Sequence, residues 1–335
     1  MAKPGPRNAL TDVAGLSVGC AEHAAALTGV TVIVPERRAV CAVDVRGGGP
    51  GTRETDALAP ETLVDAVDAL VLSGGSVYGL AAADGVAALM GAEGRGFGLV
   101  DMPGVPRSPV IPAAILYDLA NGGDKSWGDA PPYHALGRAA YAARGAEVPL
   151  GNAGAGIGAR AGALKGGQGS ASIVTADGFT VAALACVNAW GSVTMPNQRA
   201  FWAHAFEIDG EFGAVAPSGA GFDPEDWGGA KFNPQPRANT NLAVVALDAD
   251  LAPAEAKRVA QMASAGLARA VRPVFAPFDG DVVFALATAA KPTPEPRQLA
   301  IARFGALAAD CLARAVARGV YAAQSIGGMP AWRDG

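Results

Sequence analysis

Pro236-Arg237-Ala238-Asn239-Thr240-Asn241 is a polar hinge that runs directly into Leu242-Ala243-Val244-Val245-Ala246-Leu247, six apolar residues that read as a strand. The hinge sets a threonine at the mouth of that strand. Thr240 follows an asparagine, and scission of the Asn239-Thr240 bond would give it a free α-amine. A hydroxyl is a poor nucleophile until a base stands beside it, and an N-terminal threonine carries its own. By residue type alone, Thr240 is equally a β-branched residue opening a strand.

Half of the 335 residues are apolar, enough to bury a full core. Alanine and glycine dominate and aromatics make up 6%, a composition suited to helices packed closely on sheets. The formal charge of -5 comes without a basic run, which leaves no electrostatic footprint for nucleic acid. Neither an apolar signal-peptide core near Met1 nor a stretch of ~18 apolar residues is present, so no membrane span is expected and the default location is cytoplasmic. Cys20, Cys41, Cys186 and Cys311 are scattered and read as small core residues rather than a metal or disulfide framework. The three histidines, His23, His134 and His204, lack partners at metal-ligand spacing, and a histidine-dependent triad is hard to build from them.

Residues 29–34 and 39–45 are β-rich runs flanking a short polar turn, and they read as an antiparallel pair. Residues 67–72 predict a further strand, after which Ser73-Gly74-Gly75-Ser76 opens a helix over 77–90; without Gly-x-Gly-x-x-Gly or a P-loop lysine this corner is a weak nucleotide signal. A helix is expected over 133–144. Ala176-Asp177-Gly178 between two β runs predicts a hairpin, and Asp209-Gly210 a second turn. Residues 217–239 have no periodicity and read as a long exposed loop, of the kind that is usually functional or disordered. Beyond Thr240 come a helix over 253–270, a strand over 281–288 and a helix over 294–318. This alternation argues for a layered α/β architecture with mixed or antiparallel sheets in one domain, 1–335. The segment after residue 239 would have little core of its own.

Gly154-Ala155-Gly156-Ile157-Gly158-Ala159, Ala113-Ala114-Ile115-Leu116-Tyr117-Asp118, Arg46-Gly47-Gly48, Ser73-Gly74-Gly75 and Phe278-Asp279-Gly280-Asp281 occur in a familiar order and spacing. From about Asn8 to about Gly319 the chain resembles the self-processing hydrolases that include L-aminopeptidase/D-esterases, β-peptidyl aminopeptidases and endo-acting 6-aminohexanoate-oligomer (nylon-oligomer) hydrolases. The Asn-Thr junction and the Asp-Gly-Asp triplet look most like the nylon-oligomer branch, since the aminopeptidase branch typically carries a serine nucleophile and a Ser-x-Glu triplet. The resemblance implies a four-layer αββα sandwich of the N-terminal-nucleophile-hydrolase type. It also implies autocleavage between Asn239 and Thr240 into a 1–239 large chain and a 240–335 small chain, and assembly as a homotetramer.

It further implies site roles. Thr240 would be the nucleophile, first on the Asn239 carbonyl and then on a peptide or other amide substrate. Asp279 and Asp281, two apart and on one side of an extended chain, would orient Thr240 and shuttle protons, although Asp-Gly is also ordinary turn chemistry. Lys165, flanked by glycines, would lower the hydroxyl pKa or take its proton; Asn188, where an apolar run ends, would donate to the oxyanion; Tyr117 would bond the intermediate. Their bland counterparts are a solvated lysine, a strand cap and a half-buried phenol. No metal or organic cofactor is called for. Thr240 is followed by Asn241 where the nylon-oligomer branch tends to have a second threonine, and Ala238 stands where glycine is common; both departures would slow maturation rather than remove a reacting group. The competing readings are a self-cleaved acyltransferase of the ornithine-acetyltransferase type and a non-catalytic binding protein of the same fold.

Overall fold

The computed structural model describes residues 1–100, 102–219, 221, 223–231 and 240–335. In chain order the strands are β1 (Leu16–His23), β2 (Thr28–Pro35), β3 (Val40–Val45), β4 (Thr52–Arg53), β5 (Leu70–Ser73), β6 (Ala113–Ile115), β7 (Arg160–Ala161), β8 (Leu164–Lys165), β9 (Gly167–Val174), β10 (Thr180–Asn188), β11 (Thr240–Ala249) and β12 (Val282–Lys291). The helices are α1 (Ala81–Ala92), α2 (Tyr133–Ala142), α3 (Pro253–Ala263), α4 (Ala265–Ala270) and α5 (Arg297–Ala322). One sheet has the order β1-β2-β5-β6-β4 and a second the order β3-β12-β11-β10-β9. Both are mixed: β5 runs parallel to β6, and β11 parallel to β12.

Three apolar layers hold four structural ones together. Val32, Val71, Met90 and Leu136 fill the space between the first sheet and α1 and α2. Ile33, Leu72, Val244 and Phe284 fill the space between the two sheets. Val245, Val259, Leu312 and Val316 fill the space between the second sheet and α3 to α5. The result is the expected αββα sandwich. β11 is buried along its whole length because it is central in its sheet and covered on both faces. Its even residues, Leu242, Val244 and Ala246, face the other sheet, and its odd residues, Ala243, Val245 and Leu247, face the helices. Among the described residues no helix is long and apolar enough to cross a membrane.

The hairpin at Ala176-Asp177-Gly178 forms as expected, with β9 and β10 antiparallel from Val174↔Thr180. Residues 29–34 and 39–45 are strands but not partners: β2 pairs with β1 and β5, whereas β3 pairs with β12 in the other sheet. Four residues reach ~13 Å, enough to cross the ~10 Å between stacked sheets. The polar turn therefore carries the chain between layers instead of folding it back. The helix expected over 253–270 is two, parted at Ser264, whose hydroxyl donates to Asp44 Oδ2 at 2.6 Å and to Ala260 O at 3.1 Å. Residues 217–219, 221 and 223–231 carry no strand or helix. The remainder of that loop, with Asn239, lies outside the described residues.

Close approach of α5 to β9 depends on glycine. A methyl group on Gly169 would sit 2.0 Å from the Ala315 carbonyl of α5, inside contact distance. Gly169→Ala is expected to cost about 3 kcal/mol of unfolding free energy, at the upper end of ordinary overpacking, measured by urea denaturation.

Candidate active site

The pairing of β10 with β11 ends on Asn188↔Thr240, so the last residue of one strand lies beside the first of the other. Alternation puts both side chains on the face between the sheets, where the strand ends of the first sheet supply the opposite wall. Thr240 is 2% exposed and Asn188 fully buried. On its other side β11 runs parallel to β12 in a register, Leu242↔Val282, that sets Gly280 next to Thr240 and Asp281 next to Asn241. A methyl group on Gly280 would lie 2.5 Å from Thr240 Oγ1, so the triplet needs its glycine to leave the hydroxyl room.

That register divides the work of the two carboxylates. Asp281 Oδ1 accepts the Asn241 main-chain N–H at 2.7 Å and its Nδ2–H at 2.9 Å, and Oδ2 accepts the Phe275 N–H at 3.1 Å. Asp281 thus grips the residue after Thr240, on the helix-facing side of the sheet, while the Thr240 side chain occupies the opposite face. The extended-chain expectation that both carboxylates face the threonine side chain is therefore modified by the register. Asp279 Oδ2 accepts the Ala276 N–H at 3.1 Å; among the described residues its buried Oδ1 has no hydrogen-bond partner, and the nearby Trp190 N–H helps to hold the carboxyl down. Arg46-Gly47-Gly48 wraps this turn, with the Arg46 N–H on the Asp281 carbonyl at 2.9 Å and the Gly49 N–H on the Asp279 carbonyl at 2.7 Å. Burial pushes both carboxyls above the usual range, and for Asp279 the neighbouring Asp281 charge adds to the rise while the Lys231 ammonium opposes it.

Asn188 is held at three points. Its Oδ1 accepts the Arg160 N–H at 2.9 Å and Asn121 Nδ2–H at 3.1 Å, and its Nδ2 donates to the Tyr117 carbonyl at 3.0 Å. A primary amide has two N–H donors, and the Tyr117 carbonyl uses one. Tyr117, two residues beyond β6, meets Asn188 through its main chain, and its ring is half-buried. Lys165 is fully buried in β8, and its Nζ donates to the carbonyls of Gly156 at 2.9 Å, Ala159 at 3.0 Å and Gly166 at 2.9 Å. Three donors meet three acceptors, so the ammonium clamps the glycine-rich turn at 154–160. Burial pulls Lys165 down to about 7, and the Asp118 carboxylate works against that fall.

Four neighbours of this centre were not singled out from sequence. Asn241 fastens Asp281; Asn121 bridges Asn188 and the Gly158 carbonyl at 2.9 Å; Asp118 and Lys231 bring charge. Lys231 Nζ lies 3.5 Å from the Asn188 carbonyl. Asn241 was visible as a departure from the expected second threonine, and Asp118 as the residue after Tyr117.

Two mixed sheets packed face to face between layers of helices form a fold like that of the Ntn-hydrolase aminopeptidases. The sequence model of peptidase family S58 matches residues 8–332, and the chain belongs to that family: it is a hydrolase of amide bonds. An uncharacterized aminopeptidase of Mycobacterium tuberculosis is 44% identical over 347 residues, which cover 98% of this chain and 97% of the relative. A 6-aminohexanoate-oligomer endohydrolase of Kocuria sp. is 29% identical over 286 residues, covering 83% of this chain and 74% of that enzyme. The structure of an L-aminopeptidase D-Ala-esterase/amidase from Ochrobactrum anthropi, described as a new variant among the Ntn hydrolase fold, superposes with a TM-score of 0.70 at 21% identity, covering 98% and 90% of the two chains.

A carboxyl raised in the folded state contributes stability at low pH and loses it as pH rises through the raised value. Asp279→Asn removes one of two such groups while keeping an acceptor for the Ala276 N–H. The variant is expected to melt above the parent at about pH 8, with the advantage shrinking as pH falls below about 7 and gone by about pH 3, in thermal unfolding followed by circular dichroism.

Proposed function

We propose that the protein is an autoprocessed N-terminal-threonine amidohydrolase, cut between Asn239 and Thr240 and acting through an acyl-enzyme on peptide-like amides. The observation that carries this reading is the position of Thr240, first residue of a fully buried central strand, directly opposite Asn188 and facing the space between the sheets. In the mature enzyme the Thr240 α-amine takes the hydroxyl proton as Oγ1 attacks the substrate carbonyl. The second Nδ2–H of Asn188 stabilises the oxyanion, as a preorganised donor should. The amine then returns the proton to the leaving nitrogen, and an ester to Thr240 remains. Water, deprotonated by the same amine, opens that ester and frees the acid. The unpartnered Oδ1 of Asp279 receives a positive group, the Thr240 ammonium in this reading, and Asp281 fixes the strand start through Asn241. Lys165 acts through the turn it clamps.

The two chains would stay together after the cut. β10 belongs to the large chain and β11 to the small one, and they pair from Val181↔Leu247 to Asn188↔Thr240. For substrate, the 44% identity to a protein named an aminopeptidase, against 29% to an oligomer endohydrolase, favours removal of N-terminal residues from short peptides.

Denaturing intact mass with N-terminal sequencing tests the cut: two fragments are expected, the smaller beginning at Thr240, with Thr240→Ala remaining one chain. A parent protein that stays whole after long incubation would overturn the reading. On amino-acid p-nitroanilides, Thr240→Ala is expected to lose at least ~10³-fold in kcat/KM, and Asn188→Ala about 10²-fold in kcat through the lost oxyanion donor.

A further inference from the structure

Asp118 is fully buried, yet its role is not explained by packing. One carboxylate oxygen accepts the Thr28 hydroxyl at 2.7 Å and the other the Gly75 N–H at 2.8 Å. Glycine is required around it: methyl groups on Gly74 and Gly158 would lie 2.2 and 2.8 Å from its Oδ2. Gly158 belongs to the turn whose carbonyls hold the Lys165 ammonium, so a buried anion and a buried cation flank one glycine-rich turn. The same segment reaches Asn188 twice. Tyr117, the preceding residue, accepts from Asn188 Nδ2, and Asn121, whose N–H donates to the Asp118 carbonyl at 3.0 Å, donates its Nδ2–H to Asn188 Oδ1.

We propose that Asp118 is a positioning residue of the reaction centre: its carboxylate is the counter-charge of Lys165 across the turn at 154–160, and the two together fix the amide of Asn188 against Thr240. An isolated buried ammonium deprotonates or is expelled, and an opposite charge nearby holds it ionised. Asp118 supplies that charge; burial raises its own carboxyl, and the Thr28 hydroxyl, the Gly75 N–H and the Lys125 ammonium oppose that rise. Other ionisable groups near the pair include Lys125 and Tyr133, which act on Asp118, Glu22, which accepts the Gly154 N–H at 2.5 Å, and the Cys20 thiol, which borders Gly154 and is raised by burial. Lys125 donates to the Ala26 and Gly122 carbonyls and also lowers the Asp118 carboxyl, so it is a second cation beside Asp118 and its removal is the control for Lys165.

The catalytic consequence rests on the function proposed above, but the pairing can be tested without it. In a Thr240→Ala background, where every chain is uncleaved, the Lys165 midpoint is read by ¹³Cε NMR of labelled lysine. Asp118→Asn, close in shape to the carboxylate, is expected to lower that midpoint by about one unit, and Lys125→Met is expected not to lower it. An unmoved midpoint in Asp118→Asn, or an equal fall in Lys125→Met, overturns the pairing. Should Asp118→Asn fail to fold, Lys165→Met gives the reciprocal reading, because coupling between two sites is symmetric: the Asp118 carboxyl midpoint, followed by ¹³Cγ NMR, rises by about as much, and no rise refutes the pairing. With Thr240 restored, Asp118→Asn is expected to lower kcat about tenfold with little change in KM. A shifted Lys165 midpoint with an unchanged kcat would refute positioning while leaving the pairing intact.

Discussion

The two registers of β11 decide what lies beside Thr240. Its antiparallel register with β10 brings Thr240 opposite Asn188, and its parallel register with β12 brings Gly280 and Asp281 alongside. A slip of one residue in either would turn the threonine toward the helices and present an asparagine between the sheets. The apolar content of β11 enforces the alignment, since both faces are buried and the even and odd side chains fit different layers. Core packing and site geometry are thus one constraint.

Near the Thr240 end of that strand the molecule buries Asp118, Lys165, Asp279 and Asp281. Such groups are costly unless compensated, and each is compensated differently. Lys165 is saturated by three carbonyls, Asp118 by a hydroxyl and an amide, and Asp281 by three N–H donors. Asp279 keeps one oxygen unmatched. The imbalance falls one residue from the glycine that touches Thr240, where a substrate or a new amine has most use for it.

What the sequence discloses follows the range of the interactions. The β9–β10 hairpin is legible because Asp177 and Gly178 encode their own turn, whereas β2 and β3 are separated by a similar polar stretch and yet pair in different sheets. Nothing within 29–45 says so; Leu70 to Ser73 and Val282 to Ala287 do, from far along the chain. The Asp279-Gly280-Asp281 spacing likewise places two carboxylates on one side of an extended segment, but which side is set by the neighbouring strand. Lys165 takes its role from the resemblance alone, its own flanks reading as a solvated lysine, and Asp118 reads as an ordinary polar residue until the layers closing over it are known. Thr240, by contrast, stands in the sequence at a change from polar residues to an apolar run, and β11 begins at that residue.

The order of the second sheet, β3-β12-β11-β10-β9, has a temporal meaning. Its edge strand from residues 40–45 lies against one from residues 282–291, and the central pair comes from opposite sides of the proposed cut. Pairings so distant in sequence form late and slowly, because long loops must close before any contact rewards them. Neither proposed fragment would contain the whole of this sheet, so under the proposed cut folding would precede scission. A chain cut too early would have lost the tether that makes β10 and β11 neighbours, and a two-chain form that unfolded would have to find its partner by diffusion.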